Sequence, residues 1–367
     1  MLTASASRLG GGVFEAVVAQ SEIVTACGGE PIVFALDDEH SAHDRARFGG
    51  VEVQTFAVRG PRQIGYAPGL VAGLVAARLD CLHLHGIWMY PSRAGAKWAE
   101  ATGSGYVISP HGMLDPWITE RGRWKKALAR AGYERAGWRR ASFLHALTAR
   151  ELGDIASESG RTDSTVIANA APPVLAGPDE ARSPRFAYIG RIHPKKNLLA
   201  LVAAWSRLGR PEDAALTIAG WGDPDDVAAL EAAVASVGPS VRFVGPIYGA
   251  AKRDLLTQAR FVVLPSLSEG LPMAVLEGWA AATPSIMSIG CNLPEGFASH
   301  AAIECGTDTE SIRSALAQAM SLAPAEWQTI SANARALAAG PFSAETIAAQ
   351  WGNAYARAIA LGRKSVR

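Results

Sequence analysis

Cysteine is scarce. The 367 residues hold four, Cys27, Cys81, Cys291 and Cys305, with no CxxC pair among them. That excludes the common zinc spacings and a disulfide-rich scaffold, and it fits a reducing compartment. Long apolar runs are missing too. No stretch approaches the roughly eighteen apolar residues of a membrane span. "LVAGLVAARL" (Leu70–Leu79), broken by Gly and Arg, reads as an amphipathic helix. The opening "MLTASASRLGGGVF" has no apolar h-region, so no secretory signal is expected and the location reads as cytoplasmic. Charge of one sign is not in excess. A formal net charge of +1 argues against a protein that reads nucleic acid with its whole surface.

What is there is globular. Hydrophobic residues make up 49% of the chain, and Gly and Pro are spread along it, so disorder is not expected. The length exceeds one ordinary core and suits two domains. Short β-rich runs alternate with Ala-rich helical stretches. "PIVFAL" (Pro31–Leu36), "CLHLHG" (Cys81–Gly86), "GYVISPHG" (Gly105–Gly112) and "SFLHALT" (Ser142–Thr148) read as strands. After the Pro/Gly-rich "APPVLAGPDEARSP" (Ala171–Pro184), which has linker composition, the alternation begins again. Its strands are "RFAYIGR" (Arg185–Arg191), "AALTIAG" (Ala214–Gly220), "VRFVG" (Val241–Gly245), "FVVLPS" (Phe261–Ser266) and "PSIMS" (Pro284–Ser288). Such alternation implies parallel sheets with crossover helices. The expected fold class is α/β, two Rossmann-like domains facing each other across a cleft, with ligands outside the carboxyl ends of the strands. The first domain is expected over 1–170 and the second over 171–342. Ile347, Trp351, Tyr355 and Ile359 fall at i, i+4 intervals, and that stripe needs a partner surface. The helix that carries it, 343–361, is expected to cross back to the first domain.

Four segments carry chemistry. "SLSEGLPMAVLEGW" (Ser266–Trp279) leaves a strand, turns through Gly270 and enters a helix with Pro272 at its first position. Amides around Gly270, Leu271 and Met273 at that helix start suit a phosphate. Glu269 lies in the loop beside them. Glu277, at i+4 from Met273, can accept two hydroxyls at once, as a ribose offers them. "YIGRIHPKKN" (Tyr188–Asn197) sets Arg191 and Lys196 at a strand end. A guanidinium fork and an ammonium point charge can clamp a diphosphate there. "SPHGMLDPW" (Ser109–Trp117) puts His111 just past a strand. "SRLGGGVF" (Ser7–Phe14) leads glycines into a helix, where Gly11 and Gly12 serve either a ligand loop or a plain turn.

In this order the four segments resemble the retaining glycosyltransferases of family 4, which have the GT-B fold. The resemblance covers nearly the whole chain. Its most specific parts are the Glu269–Glu277 E-x7-E segment, "GRIHPKKN" and "PHGML", with support from "LTIAGWGDP" (Leu216–Pro224) and "GPIYGAAKRDLLTQARFVVLPS" (Gly245–Ser266). It implies that the first domain is the acceptor side and the second binds a nucleotide sugar, UDP- or GDP-linked. Arg191 and Lys196 would bind the donor diphosphate and stabilise the charge that develops on it. Glu277 would hold the ribose. Glu269 would face the donor sugar, with Gly270, Leu271, Pro272 and Met273 lining sugar and phosphate. His111 would reach the sugar across the cleft, and Gly11 and Gly12 would approach phosphates or acceptor. No cofactor and no metal are expected. The activity implied is hexosyl transfer to a glycan or a polyprenyl-diphosphate-linked acceptor, with a nucleotide-sugar epimerase or a non-catalytic sugar-nucleotide or membrane-binding relative as the alternatives. Two departures stand out. The glycine that usually follows the lysine is Asn197, and the chain begins very near the glycine loop, so its first strand is short or its start is lost.

Other signals compete. Asp223 and Asp225 in "GDPDD" match a DxD metal motif, but the helical run after them suggests that Asp225 or Asp226 caps a helix. His83 and His85 share a strand face without a carboxylate or cysteine partner, which argues against a metal site, and His85 is placed to line the cleft. A glycosidase would also pair carboxylates, yet hydrolysis needs no Arg–Lys clamp. Residues 116–140 interleave Trp117, Trp124, Tyr133 and Trp138 with Arg and Lys. That pattern suits an anionic membrane surface at the inner face, or a solvated basic helix with its aromatics in the core. Nucleic acid is not expected as a partner.

Overall fold

The computed structural model describes residues 1–120, 122–178 and 180–365. The chain divides into two compact units, one formed by Met1–Ala168 together with the chain from Ile347 on, the other by Asn169–Thr346. Each is built on a single parallel sheet, and together they make two Rossmann-like domains.

The strands of the first unit are β1 (Leu2–Thr3), β2 (Ile32–Leu36), β3 (Glu52–Phe56), β4 (Cys81–His85), β5 (Gly105–Ser109), β6 (Phe143–Ala146) and β7 (Thr165–Val166). Their order is β3-β2-β1-β4-β5-β6-β7, so the direction of winding reverses between β1 and β4. The central strands are buried on both faces, which is why "IVFAL" and "GYVIS" read as continuous apolar runs instead of alternating. Leu2, Phe34, Leu84, Ile108 and Leu144 anchor one cluster, joined by Trp98, Tyr106 and Trp138 from the sheet and its covering helices.

The second unit contains β8 (Arg185–Ile189), β9 (Ala215–Ala219), β10 (Val241–Phe243), β11 (Phe261–Leu264), β12 (Ser285–Met287) and β13 (Ala302–Glu304). The order is β10-β9-β8-β11-β12-β13, and the reversal falls between β8 and β11. Four strands are not among those read from the sequence. β3 and β13 are edge strands whose polar residues Glu52, Gln54 and Glu304 weaken the apolar signal, and β1 and β7 span only two residues each. The helix read over Leu70–Leu79 closes sooner, at Leu70–Ala76, and Arg78 follows with φ 50°.

The last helix, Ala344–Ser365, buries Ile347, Trp351, Ala354 and Ala358 in the first unit. Gly105 permits its close approach, since a Cβ there would lie 2.6 Å from the Ala358 carbonyl oxygen. A chain of hydrogen bonds ties this helix to the sheet. Gln20 Nε2 donates to Tyr355 Oη (2.9 Å), which is 2.8 Å from His83 Nδ1. His83 Nε2 is 2.7 Å from Ser109 Oγ, and Ser109 Oγ is 2.7 Å from His145 Nδ1. His145 Nε2 ends the chain at the Ile167 carbonyl, 2.8 Å away. A carbonyl only accepts, so His145 must carry its proton on Nε2. Every bond before it then has one direction: Tyr355 to His83, His83 to Ser109, Ser109 to His145. The arrangement requires both histidines to be neutral. Burial holds His83 well below the usual histidine range and His145 at about 4.

Candidate active site

In doubly wound sheets ligands settle where the strand order reverses, beyond the strands' carboxyl ends. In the second domain that place lies past β8 and β11. β8 runs into Gly190 and Arg191, then a single turn at Pro194–Lys196. The neighbouring loop comes so close that a Cβ on Gly220, at φ 154°, would lie 1.7 Å from the Gly190 carbonyl oxygen. Asn197 adopts φ 60°, the left-handed conformation for which asparagine is the usual substitute for glycine. Its Nδ2 donates to the carbonyls of Pro265 (3.2 Å) and Thr307 (2.7 Å). The departure from the family's glycine therefore keeps the backbone path and adds a staple between three loops.

That path delivers Lys196 onto Glu269. The ammonium lies 2.6 and 2.5 Å from the two carboxylate oxygens, and Ser266 Oγ donates to Oε1 at 2.6 Å. The Glu269 side chain is 8% exposed, so this carboxylate depends on its partners. Backbone contacts hold the loop: the Glu269 amide donates to Gly290 (2.8 Å), and Asn292 Nδ2 donates to the Glu269 carbonyl (2.5 Å). A charged pair thus spans the reversal point, one member after each of its two strands.

The chain leaves Glu269 through Gly270 and Leu271 to the helix Met273–Ala280. Pro272 is its N-cap, with ψ 102°, one place earlier than the sequence suggested, because its extended backbone has not yet entered the helix. Among the described residues the Gly270, Leu271 and Met273 amides make no loop or cap hydrogen bond, and a Cβ on Gly270 would meet nothing within 4 Å. Glu277 sits in the second turn. Its Oε1 accepts from Lys252 Nζ at 2.6 Å, while Oε2 is buried with no partner among the described residues. Arg191 is exposed, and its Nη2 lies 3.3 and 3.4 Å from the Asp223 carboxylate oxygens. Asp223, not Asp225 or Asp226, occupies the cap position of the helix Pro224–Val237, because Pro224 takes the first helical place and moves the two later aspartates into the first turn. No side chain caps that helix end.

The first domain positions His111 differently. It follows β5 with φ 53° and is succeeded by Gly112 at φ 74°. Buried Glu151 holds this loop by accepting from the amides of Gly112 (2.6 Å) and Leu147 (2.7 Å). Burial pushes the Glu151 carboxyl up against the pull of those two bonds. His111 Nε2 lies 3.1 Å from His85 Nδ1, the rings stacked 5.3 Å apart. Burial lowers His111 to about 3, so at neutral pH it acts as a hydrogen-bonding group and not as a cation. Gly11 has φ 53° and precedes the helix Gly12–Ala26. Space is open around both glycines, and only Gly11 needs to be glycine for its backbone.

Sequence comparison decides the family. Residues 11–170 match the family described as glycosyl transferase 4-like domain, and residues 183–322 match glycosyl transferases group 1. Both matched families are glycosyltransferases, one over each domain. No curated protein matches it by sequence. Among solved structures, the Anabaena protein Alr3699/HepE, crystallised with UDP and glucose, superposes with a TM-score of 0.77 at 17% identity, over 97% of this chain and 98% of that one. Sucrose-phosphate synthase from Thermosynechococcus elongatus gives 0.72 at 20% identity, over 98% of each chain. WaaG, a glycosyltransferase involved in lipopolysaccharide biosynthesis, gives 0.66 at 14% identity, over 97% of this chain and 98% of that one. At these identities the likeness establishes the GT-B fold.

The glycosyltransferase holds one site residue that sequence reading missed. Lys252 lies on the helix Gly249–Gln258, inside the supporting segment Gly245–Ser266, where the sequence reading gave it no role. Only the packing of that helix against Met273–Ala280 brings it to Glu277. The basic segment over 116–140 also resolves. Trp138 is a core residue, 1% exposed, and Tyr133 Oη donates to the Trp88 carbonyl at 2.9 Å. Trp124 and Leu128, one turn apart, are the exposed apolar pair of the helix Arg123–Ala129. Arg121 and the Trp117 side chain lie outside the described residues. Among the described residues the interleaving therefore divides into core Trp138, half-buried Tyr133 and the exposed pair Trp124 and Leu128.

Proposed function

We propose that the protein is a retaining, metal-independent hexosyltransferase that moves a sugar from a nucleoside-diphosphate donor, UDP-linked in the first instance, to a hydroxyl of a glycan or polyprenyl-diphosphate-linked acceptor. The observation that carries this reading is the Lys196–Glu269 pair at the reversal point of the second sheet. A bound UDP and UDP-glucose in the Anabaena relative favour uridine. In this reading Arg191 and Lys196 take the diphosphate and the open amides after Gly270 face its oxygens and the sugar. Glu277 takes ribose hydroxyls with the carboxylate that Lys252 half-satisfies. Glu269 and His111 are hydrogen-bonding partners of the donor sugar, and Gly11 and Gly12 leave room for substrate.

Retention follows from attack on the face the leaving group departs from. The acceptor oxygen bonds to the anomeric carbon as the bond to the diphosphate breaks, and the departing phosphate oxygen accepts the acceptor's proton. Lys196 and Arg191 stabilise the charge that builds on that phosphate, so the step needs no general base from the protein. The exposed Trp124–Leu128 pair with adjacent Arg123 and Lys125 would meet an anionic bilayer at the inner membrane face, a proposal that vesicle co-sedimentation with and without phosphatidylglycerol tests.

The deciding experiment is calorimetric titration of the protein with UDP and with GDP, alongside Glu277→Ala. Binding of one nucleotide that the variant loses supports the donor site and names its base. Failure of a folded sample to bind either removes the donor reading and leaves the non-catalytic alternative.

A further inference from the structure

His111 sits in a turn that a histidine does not favour. The Met113 amide donates to the Pro110 carbonyl at 3.1 Å, and the two residues between them, His111 and Gly112, both have positive φ, 53° and 74°. Glycine takes that conformation freely, whereas a histidine there is strained and persists only where its surroundings hold it. Three contacts hold it. Glu151 accepts from the Gly112 amide, His85 Nδ1 lies 3.1 Å from His111 Nε2, and Trp88 Nε1 donates to the Met113 carbonyl at 3.1 Å.

Trp88 is itself strained, at φ 80°, and it is held by every polar atom it has. Its amide donates to Glu134 Oε1 at 2.6 Å, its carbonyl accepts from Tyr133 Oη at 2.9 Å, and its indole N–H is the one that reaches Met113. Trp138 packs edge-on with the ring centres 6.1 Å apart, and the Lys126 and Arg130 head groups lie 5.9 and 5.5 Å from the Trp88 ring centre. Tyr133 and Glu134 belong to a single π-helical turn, Arg130–Glu134, set between the helices Arg123–Ala129 and Arg135–Arg140. Such turns occur frequently at functional sites. Glu134 is 1% exposed, and no cation offsets its burial among the described residues, which pushes its carboxyl up to about 7. Its ionised and protonated forms both offer an oxygen to the Trp88 amide, so the clamp does not depend on that proton.

We infer that Glu134 and Trp88 are positioning residues for sugar transfer: they fix the Pro110–Met113 turn and so set where the His111 ring meets the donor. The inference rests on the role proposed above for His111 and adds the two residues on which that role depends. The path is continuous. Glu134 fixes the Trp88 backbone, the Trp88 ring fixes Met113, and Met113 closes the turn around His111. A second path leaves the same π turn through the Arg130–Glu158 ion pair and reaches the helix Ala149–Ser159, which carries Glu151. Plain core packing makes a different forecast: loss of Glu134 would lower stability and leave the His111 turn as it is.

NMR of protein carrying carbon-13-labelled histidine tests it, with the His111 ring signal assigned by its loss in His111→Gln. Desolvation holds His111 at about 3, so in the unaltered protein its signal should not titrate between pH 7.5 and 5.5. Glu134→Leu should release the turn and bring the His111 titration above pH 5.5, toward the ~6.5 of an exposed histidine. Glu134→Gln, whose carbonyl accepts the same N–H, should leave His111 untitrated. Trp88→Phe keeps an aromatic ring in place, removes the donor to Met113 and should move His111 in the same direction as Glu134→Leu. His83 and His145, which burial keeps neutral in the folded domain, report whether each variant is folded. His111 untitrated in folded Glu134→Leu and Trp88→Phe, or freed by Glu134→Gln as fully as by Glu134→Leu, would overturn the inference. If Glu134→Leu unfolds, Trp88→Phe decides alone. UDP titration of the unaltered protein separates the two readings: UDP unbound refutes the donor site, whereas the His111 titration judges the clamp.

Discussion

Acid should unfold the first domain selectively. Four histidines, buried His83, His85 and His145 and half-buried His111, are neutral in the folded protein because desolvation depresses them, His111 to about 3 and His145 to about 4. In the unfolded chain each titrates near its ordinary value of about 6.5. Between pH 6.5 and 4.5 the unfolded state therefore binds up to four more protons at these sites, and stability must fall as pH falls. Two carboxyls act in the opposite sense. Burial raises Glu134 to about 7, so below that the folded state holds a proton there that the unfolded chain, titrating near 4.5, lacks, and burial pushes the Glu151 carboxyl up in the same sense. Four histidines against at most two carboxyls leave the unfolded state an excess of about two protons, on the order of 3 kcal/mol per pH unit. Over two units that approaches the ~5–15 kcal/mol of a typical domain. Asp38 and Asp44, both depressed, contribute stability that is lost only below about pH 4. The second domain's two histidines, His193 and His300, lie outside its core. Urea unfolding at pH 7.5, 6.0 and 5.0, with hydrogen exchange to assign the transitions, should show the first domain's midpoint dropping while the second's holds. A first-domain midpoint that stays level or rises toward pH 5 would refute the neutral-histidine network.

Lys196→Met should abolish UDP binding and destabilise the second domain by about 1–3 kcal/mol, since Glu269 would keep only Ser266 as a side-chain partner; calorimetry and urea unfolding check the two effects separately. Lys252→Met should weaken UDP about tenfold, the size of one charge-assisted hydrogen bond, and should erase any preference for UDP over 2′-deoxy-UDP; an unchanged preference would mean that Lys252 does not orient Glu277 for ribose. Asp223→Asn should tighten UDP binding a few-fold by releasing Arg191, with activity insensitive to EDTA, whereas loss of activity together with a metal requirement would make Asp223 and Asp225 a metal site.

The parts of the fold legible in sequence were those where burial on both faces left an uninterrupted apolar record. "FVVL" and "IVFA" could hardly be solvent-facing, and each lies in the sheet interior. β3 and β13 escaped because an edge strand needs only one partner and one covered face, so its polar positions dilute the pattern. The glycines divide in the same way. Gly105 and Gly220 are required by a backbone passing within bonding distance, a fact that depends on residues far away in sequence. Gly11 is required by its own φ and could be suspected locally.

The candidate site was legible where its residues share a loop and obscure where they meet through packing. Glu269 and Glu277 are eight positions apart on one segment, yet each is held by a cation from elsewhere in the chain, Lys196 from the β8 turn and Lys252 from a helix without a motif. Arg191 and Lys196, expected to clamp a diphosphate together, each face a carboxylate of their own, Asp223 and Glu269. Three cations, Arg191, Lys196 and Lys252, therefore face three carboxylates, Asp223, Glu269 and Glu277. On the proposed reading a diphosphate would displace Asp223 from Arg191 and share Lys196 with Glu269, so part of its electrostatic gain would offset contacts the protein already makes. Affinity must then draw on the groups still unsatisfied: the open amides after Gly270 and the unpartnered Glu277 oxygen. On the proposed reading those groups would meet phosphate oxygens, the sugar and ribose together. Pyrophosphate alone, which offers only the charge, should for that reason be a poor ligand of a site built around two lysines and an arginine.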